Sequence, residues 1–237
     1  MITLLEKLNQ MGVKNAEKLI RAGNIKVDGV EIILPNERIK DSSEIFIKES
    51  KEYVSRGAYK LLKAIESFDI DCKDKVSLDV GSSTGGFTEI LLKNGSKKVY
   101  ALDVGTNQLD FSLRRNEKVI SLEKTNLKDI SKDMFEEEIE LVVTDVSFIS
   151  LKEVFKVLKN IIKPGVQIMA LIKPQYEAFA DQVQKGGFVD ESLHWDIIQK
   201  VINHAKDNGF EHKMHEASPI KGGKSKNTEY ISLFIKE

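Results

Sequence analysis

The stretch from Leu78 to Leu92 reads LDVGSSTGGFTEILL. An apolar run stops at a glycine, three further small residues and two more glycines follow, and an amphipathic run begins. That is a strand, a tight turn and a helix, the opening unit of a parallel sheet covered by helices. Glycines let the backbone approach a ligand closely, and the first turn of the helix offers free N–H groups. A dinucleotide fingerprint would need glycine at 81, 83 and 86, but Ser83 occupies the middle position.

Downstream, KVISLEK, IELVVTDVS and VQIMALIKP repeat the strand signal after KKVYALDVG, with amphipathic segments between them. The expected fold class is therefore α/β, a Rossmann-like, mostly parallel sheet. FEHKMHEA and NTEYISLFI close the chain, the latter as an antiparallel strand. Asp103 ends the second strand about twenty residues after the glycine turn, where a carboxylate accepts ribose hydroxyls. Asp79 adds a second carboxylate beside the turn. A ligand with a ribose and a positive centre but no phosphate suits this set, and S-adenosylmethionine has those properties.

Two strands end on charges. IELVVTDVS gives way to Asp145 and IMALIKP to Lys173, and in an open parallel sheet both ends face the ligand crevice. Glu229 begins the reversed final strand at the same edge, and Lys60, on a helix before the first strand, is placed to reach in from the side. Each alone reads equally well as an ion pair or a surface charge. Their convergence on one edge is the stronger signal.

The first fifty residues follow another pattern. Helical spacing over residues 1–11 and 15–21 ends at Gly12 and Gly23, and an alternating stretch around Asp28-Gly29 predicts a hairpin. Lys14, Lys18, Arg21 and Lys26 give the module a mildly basic face, which charge alone does not distinguish from a solvated surface. The expected organisation is a small α+β domain over 1–50, a linker over 51–56 and the α/β domain over 57–237.

Net charge is −1, which argues against bulk attraction to nucleic acid. One cysteine, Cys72, rules out an intrachain disulfide, and four scattered histidines offer no metal set. Glu6 and Lys7 interrupt any signal peptide, and no apolar run approaches a membrane span. The expectation is a cytoplasmic protein without a metal.

Further meaning comes from resemblance. NAEKLIRAGNIKVDGVEI resembles the αL-type RNA-binding domain named after the fourth small-subunit ribosomal protein. YVSRGAYKL, LDVGSSTGGFTEILL, VYALDVG, EKTNL, VTDVSFISL, LIKPQYE, KGGFVDESLH and NTEYISL together resemble the TlyA (hemolysin A) family of ribosomal RNA ribose 2′-O-methyltransferases, whose catalytic domain is FtsJ-like. The resemblance implies a catalytic tetrad of Lys60, Asp145, Lys173 and Glu229. It implies S-adenosylmethionine contacts from Asp79, Gly81, Ser82, Ser83, Thr84, Gly85, Gly86, Phe87, Thr88, Asp103, Asn126 and Asp145. Lys173 is expected to handle the hydroxyl proton, with Asp145 orienting it. Arg56, Lys185, Lys221, Lys224 and Lys226 are expected to hold RNA phosphates at the mouth of the site, so that ribosomal RNA or a ribosomal subunit is the partner. The alternatives are a hemolysin-like membrane-active protein, a catalytically silent ribosome-binding protein, and a small-molecule methyltransferase or dehydrogenase.

Overall fold

The computed structural model describes residues 1–21, 23–48, 52–223 and 225–237. The chain divides into two compact units, residues 1–52 and 53–237.

The first unit opens with β1 (Ile2–Thr3), α1 (Leu4–Gln10) and α2 (Ala16–Arg21). Thr3 caps α1 in both directions: its Oγ1 accepts the Glu6 N–H at 3.2 Å, and the Glu6 carboxylate accepts the Thr3 N–H at 3.0 Å. A cap of this kind is worth about 1 kcal/mol. Next come β2 (Ile25–Val27), β3 (Val30–Glu31), β4 (Arg38–Ile39) and β5 (Ile45–Ile47). The β2–β3 turn holds Asp28 and Gly29 at φ 49° and 83°, the left-handed pair that a two-residue hairpin requires. Leu4, Leu8, Ile20, Ile25 and Ile39 close a core of this unit's own. Lys14, Lys18, Arg21 and Lys26 are all exposed, and Arg21 pairs with Glu17 at 2.8 Å.

The second unit contains α3 (Ala58–Phe68), β6 (Val76–Val80), α4 (Gly86–Lys93), β7 (Lys98–Leu102), α5 (Phe111–Arg114), β8 (Val119–Leu122), β9 (Leu141–Thr144), α6 (Leu151–Leu158), β10 (Gln167–Ile172), α7 (Pro174–Glu177), α8 (His194–Lys206), β11 (Phe210–Ala217) and β12 (Tyr230–Lys236). Seven of these strands form one sheet in the order β11-β12-β10-β9-β6-β7-β8. Strands β6 to β10 pair in parallel, and β12 runs antiparallel to both β10 and β11. This is the α/β sheet expected from the sequence.

Period-2 alternation sends side chains to two helical layers. Leu78, Val80, Val142, Ile168 and Ile172 face α6 and α8, while Val143, Met169, Leu171 and Ile231 face α3 and α4. In the first layer Phe155 packs between Phe210 and Phe234, with ring centres 5.1 and 4.9 Å away. Emptying that position would cost about 3–5 kcal/mol.

The expected linker over 51–56 is corrected in part. Lys51 lies outside the described residues, but Tyr53 to Arg56 belong to the second unit. Val54 N–H donates to Glu89 Oε2 at 2.7 Å, and the Tyr53 ring meets Tyr59 edge-on at 5.2 Å. A backbone bond to α4 and an aromatic contact to α3 dock this stretch.

Candidate functional site

The glycine turn lies between β6 and α4, against the end of β9. Gly81 has φ 83°, and a Cβ there would come 3.2 Å from the Asp145 carbonyl oxygen. The absent side chain at 81 is therefore what lets the Asp145 backbone close on the turn. Gly86 does the same for the segment before α3, since its Cβ would meet Ser55 Oγ at 2.1 Å.

Four charges converge at this edge. Lys60 Nζ, from α3, lies 2.8 Å from Glu229 Oε2 and 3.2 Å from Asp145 Oδ2. Lys173 Nζ lies 2.6 Å from Asp145 Oδ1, at an angle outside hydrogen-bond geometry, and donates to Ser147 Oγ at 3.0 Å. The topology explains the meeting. Ala170 of β10 pairs with Thr144 of β9, and Ile172 pairs with Tyr230 of β12, so the residues next beyond each pair share one edge. Lys60, Lys173 and Glu229 are each buried to 9 % exposure or less.

Electrostatics distinguishes the members. Burial pushes the Lys60 ammonium down, but Asp145 and Glu229 beside it outweigh burial and hold its pKa above the usual lysine range. Burial likewise pushes the Asp145 carboxyl up, and the two lysines overcome it, leaving that pKa below the usual range. Asp145 is therefore a carboxylate and Lys60 an ammonium at neutral pH.

Two adjoining cavities meet here. One, of about 780 Å³, is lined by Lys60, Lys173, Glu229, Arg56, Gln175 and the turn residues Gly81 to Thr84, Gly86 and Phe87. The other, of about 590 Å³, is lined by Asp103, Val104, Thr125 and Asn126. Gly81, Ser83, Asp145, Ser147 and Phe148 belong to both walls. The Asp103 carboxylate already accepts Ser83 N–H at 2.8 Å and Gly105 N–H at 2.7 Å, which fixes its orientation toward the turn. Asn126 caps the short turn after it, its side chain accepting Lys128 N–H at 3.0 Å.

Three expected cofactor contacts face elsewhere. Asp79 alternates with Leu78 and Val80, so it points to the α4 layer, where Thr88 Oγ1 donates to it at 2.6 Å. Asp79 and Thr88 are fully buried and line neither cavity. Burial raises the Asp79 carboxyl to about 7, against the opposing Thr88 bond. Gly85 also lines neither cavity, because a Cβ there would strike the Leu113 and Leu109 side chains at 2.3 and 2.7 Å. Its glycine serves packing.

Of the expected RNA contacts in this unit, Arg56 and Lys221 line the larger cavity. Lys185 is exposed beside the lining residues Gly186 and Gly187, and Lys226 is exposed near Ser225. Lys224 lies outside the described residues.

Several residues at the site escaped the sequence reading. Ser147 touches Lys173. Phe148 is 89 % exposed, holds φ 64°, and sets its ring 5.1 Å from Tyr176. A phenylalanine this exposed in a left-handed conformation is uncommon. Glu177 is buried, and its carboxylate accepts from Ser150 Oγ and Leu151 N–H, both at 2.7 Å, tying α7 to the loop after Asp145. Burial raises its pKa. Gln175 and Glu177 lie inside LIKPQYE and Ser147 and Phe148 inside VTDVSFISL, so motif membership was the available signal.

Among the described residues no cluster of His, Cys, Asp or Glu is arranged to hold a metal ion, and no helix is long and apolar enough to cross a membrane.

Comparison with known proteins adds to this geometry. The family described as FtsJ-like methyltransferase matches residues 53–235. Hemolysin A of Brachyspira hyodysenteriae is 44% identical over 222 residues, 93% of this chain and 92% of that protein. The 16S/23S rRNA (cytidine-2'-O)-methyltransferase TlyA of Mycobacterium tuberculosis is 38% identical over 221 residues, 92% of this chain and 82% of that protein. A solved structure from Streptococcus thermophilus, provisionally named a hemolysin, superposes with a TM-score of 0.76 at 37% identity, covering 99% of this chain and 88% of that one.

Proposed function

Since the chain belongs to the FtsJ-like methyltransferase family, a membership that implies use of S-adenosylmethionine, we propose that it transfers a methyl group from that cofactor to a ribose 2′-hydroxyl of ribosomal RNA. The observation that carries this reading is the Lys60–Asp145–Lys173–Glu229 cluster, which lines the larger cavity and shares Asp145 with the smaller one. The donor set of the smaller cavity fits a nucleoside. Asp103 has an acceptor for ribose hydroxyls and Asn126 an amide for an adenine edge, and Ser83 stands where close backbone approach to a pyrophosphate needs glycine. Gly81, Ser82, Ser83 and Thr84 offer the turn to the remainder of the cofactor.

When bound, S-adenosylmethionine supplies an electrophilic methyl on a sulfonium. The chain's own residues must then place the hydroxyl in line and remove its proton. Lys60 is held as an ammonium between two carboxylates, so it serves as a fixed positive charge and hydrogen-bond donor. Lys173 meets one carboxylate and the neutral Ser147 hydroxyl. It is the member assigned to take the 2′-hydroxyl proton or to stabilise the forming alkoxide. Asp145 orients both lysines, and Glu229 completes the network from β12.

The named relative from Mycobacterium tuberculosis acts on 16S and 23S rRNA cytidine, in keeping with this reading. The amino-terminal unit, with Lys14, Lys18, Arg21 and Lys26 exposed, is proposed as an RNA-binding domain. Arg56, Lys185, Lys221 and Lys226 are proposed to hold phosphates around the larger cavity. An enzyme acting on ribosomal RNA works where ribosomes are, in the cytoplasm.

The test is labelled methyl transfer to purified, unmodified ribosomal subunits, followed by mapping of the modified ribose. The expected result is label on a ribose 2′-oxygen of small-subunit RNA, large-subunit RNA or both. Label on a base, on protein or nowhere overturns the proposal.

A further inference from the structure

We propose that Gln175 reads a hydrogen-bond acceptor on the base attached to the methylated ribose, and that Asn227 holds its amide in the reading orientation. This rests on the ribose methyl transfer proposed above.

The orientation follows from a chain of obligatory donors and acceptors. Asn227 is buried at 1 % exposure. Val189 N–H reaches it at 3.0 Å, and since an N–H only donates, the facing atom is Oδ1. The Gly187 carbonyl lies 2.8 Å from the other end, and since a carbonyl only accepts, that atom is Nδ2. Asn227 is therefore fixed from both sides. Its Nδ2 also donates to Gln175 at 3.0 Å, which makes the Gln175 atom Oε1. The acceptor of Gln175 is thereby occupied. Its Nε2, carrying two donors, has no partner among the described residues.

Gln175 lines the cavity that holds the tetrad and stands two residues beyond Lys173, at the start of α7. A ribose whose 2′-hydroxyl meets Lys173 brings its own base next to it. The base edge nearest the glycosidic bond carries a C2 carbonyl in pyrimidines and N3 in purines, both acceptors, while guanine adds an N2 amino donor there. A free glutamine would turn either end to the base and tolerate every edge. One clamped with its donors forward accepts an acceptor edge and opposes guanine. Cytidine, in the name of the Mycobacterium tuberculosis relative, presents such an edge.

The experiment uses the full chain and unmodified subunits carrying each of the four bases at the mapped position. The parent should favour the natural base over guanosine by at least about tenfold in kcat/KM. Gln175→Leu should lower kcat/KM on the natural base by about tenfold, flatten the preference, and leave cofactor affinity by calorimetry within about twofold. Gln175→Glu, which keeps an acceptor for Asn227 but turns an oxygen to the base, should fall further. An unchanged preference in Gln175→Leu overturns the proposal, as does an equal loss on all four bases, which would mark a phosphate contact.

Asn227→Asp tests the positioning residue. It should flatten the preference in the parent background and add nothing to Gln175→Leu, whereas the same added loss in both would leave Asn227 a loop brace only. A parent that methylates no ribose removes the function and this inference together, and is told apart because it precedes any comparison of bases.

Discussion

Lys60 and Glu229 lie 169 positions apart in sequence, yet Lys60 Nζ donates to Glu229 Oε2 at 2.8 Å in the interior of the second unit. The bond spans α3 and the start of β12, the first helix and the last strand of the α/β unit, and Asp145 accepts from the same ammonium at 3.2 Å. One cation thus compensates two carboxylates that burial would otherwise penalise.

Removing that cation should act on stability before chemistry. Lys60→Met leaves Asp145 to Lys173 alone and Glu229 without its ion-pair partner, and should cost about 3–5 kcal/mol in denaturant unfolding. The pH dependence has a definite sign. Because the Lys60 pKa is raised on folding, its contribution is fully present below the unfolded value of 10.5 and is lost as pH rises through the folded value. The parent should therefore lose melting temperature above pH 10.5 more steeply than Lys60→Met. Parallel curves would show that the ion pairs contribute nothing net.

Lys173→Met gives the contrasting result. Asp145 keeps Lys60, so the variant should be folded, should lose less stability than Lys60→Met, and should bind S-adenosylmethionine with near-parent affinity. Methyl transfer to ribosomal RNA should fall to background, because a thioether accepts no proton in place of the lysine. Pro174 restricts the Lys173 backbone to extended geometry, as its φ of −112° and ψ of 105° show, so the side chain starts from a fixed point. Near-parent single-turnover rates would remove Lys173 from the mechanism.

Asp79 gives a pH dependence of the same sign in a lower window. Its carboxyl, near 3.8 when unfolded, rises to about 7 in the buried site. Between those values the folded chain holds a proton that the unfolded chain releases, so stability falls as pH rises from about 4 to about 7. Asp79→Asn keeps an oxygen for Thr88 and carries no charge. It should match the parent near pH 4 and exceed it at pH 8, by up to about 4 kcal/mol. Equal melting temperatures at pH 8 would show that the carboxylate is accommodated at no cost.

How much of this was legible in the sequence depended on the kind of signal. Parallel strands buried on both faces read as apolar runs, so IELVVT and IMALI and the charges ending them were visible, and topology placed Asp145 and Lys173 on one edge. Asp79 was misplaced because the turn, not the pleat, was followed. Ser77 and Asp79 alternate with Val76, Leu78 and Val80, and that period of two already pointed the carboxylate away from the crevice. Gly85 failed for another reason: a glycine required by a neighbouring leucine is indistinguishable in sequence from one required by a ligand. The Asn227–Gln175 bond joins the loop before β12 to α7, 52 positions apart, a distance no local pattern encodes.

The amino-terminal unit has its own core, so a chain of residues 53–237 should keep S-adenosylmethionine binding within a few fold while losing transfer to ribosomal subunits. Charge reversal at Lys18 and Lys26 in the full chain should act in the same direction, and more strongly at low salt. Full transfer by residues 53–237 would deny the first unit any part in reading the substrate.

Asp103 supplies the last test, because its carboxylate has two tasks. It holds the turn through Ser83 N–H and Gly105 N–H, and under the proposed function it also accepts the ribose hydroxyls of S-adenosylmethionine. Asp103→Ala removes both and should weaken cofactor binding by about 2 kcal/mol or more, since it leaves two N–H groups and two hydroxyls without a charged acceptor. Asp103→Asn separates the tasks. One oxygen remains for a turn N–H, but the amide end opposes the second, so affinity should lie between parent and Asp103→Ala. Nicotinamide dinucleotides should not compete, as Ser83 occupies the position where a close backbone approach to pyrophosphate needs glycine. Calorimetry that shows tight dinucleotide binding, or S-adenosylmethionine affinity indifferent to Asp103, would overturn the assignment of the smaller cavity.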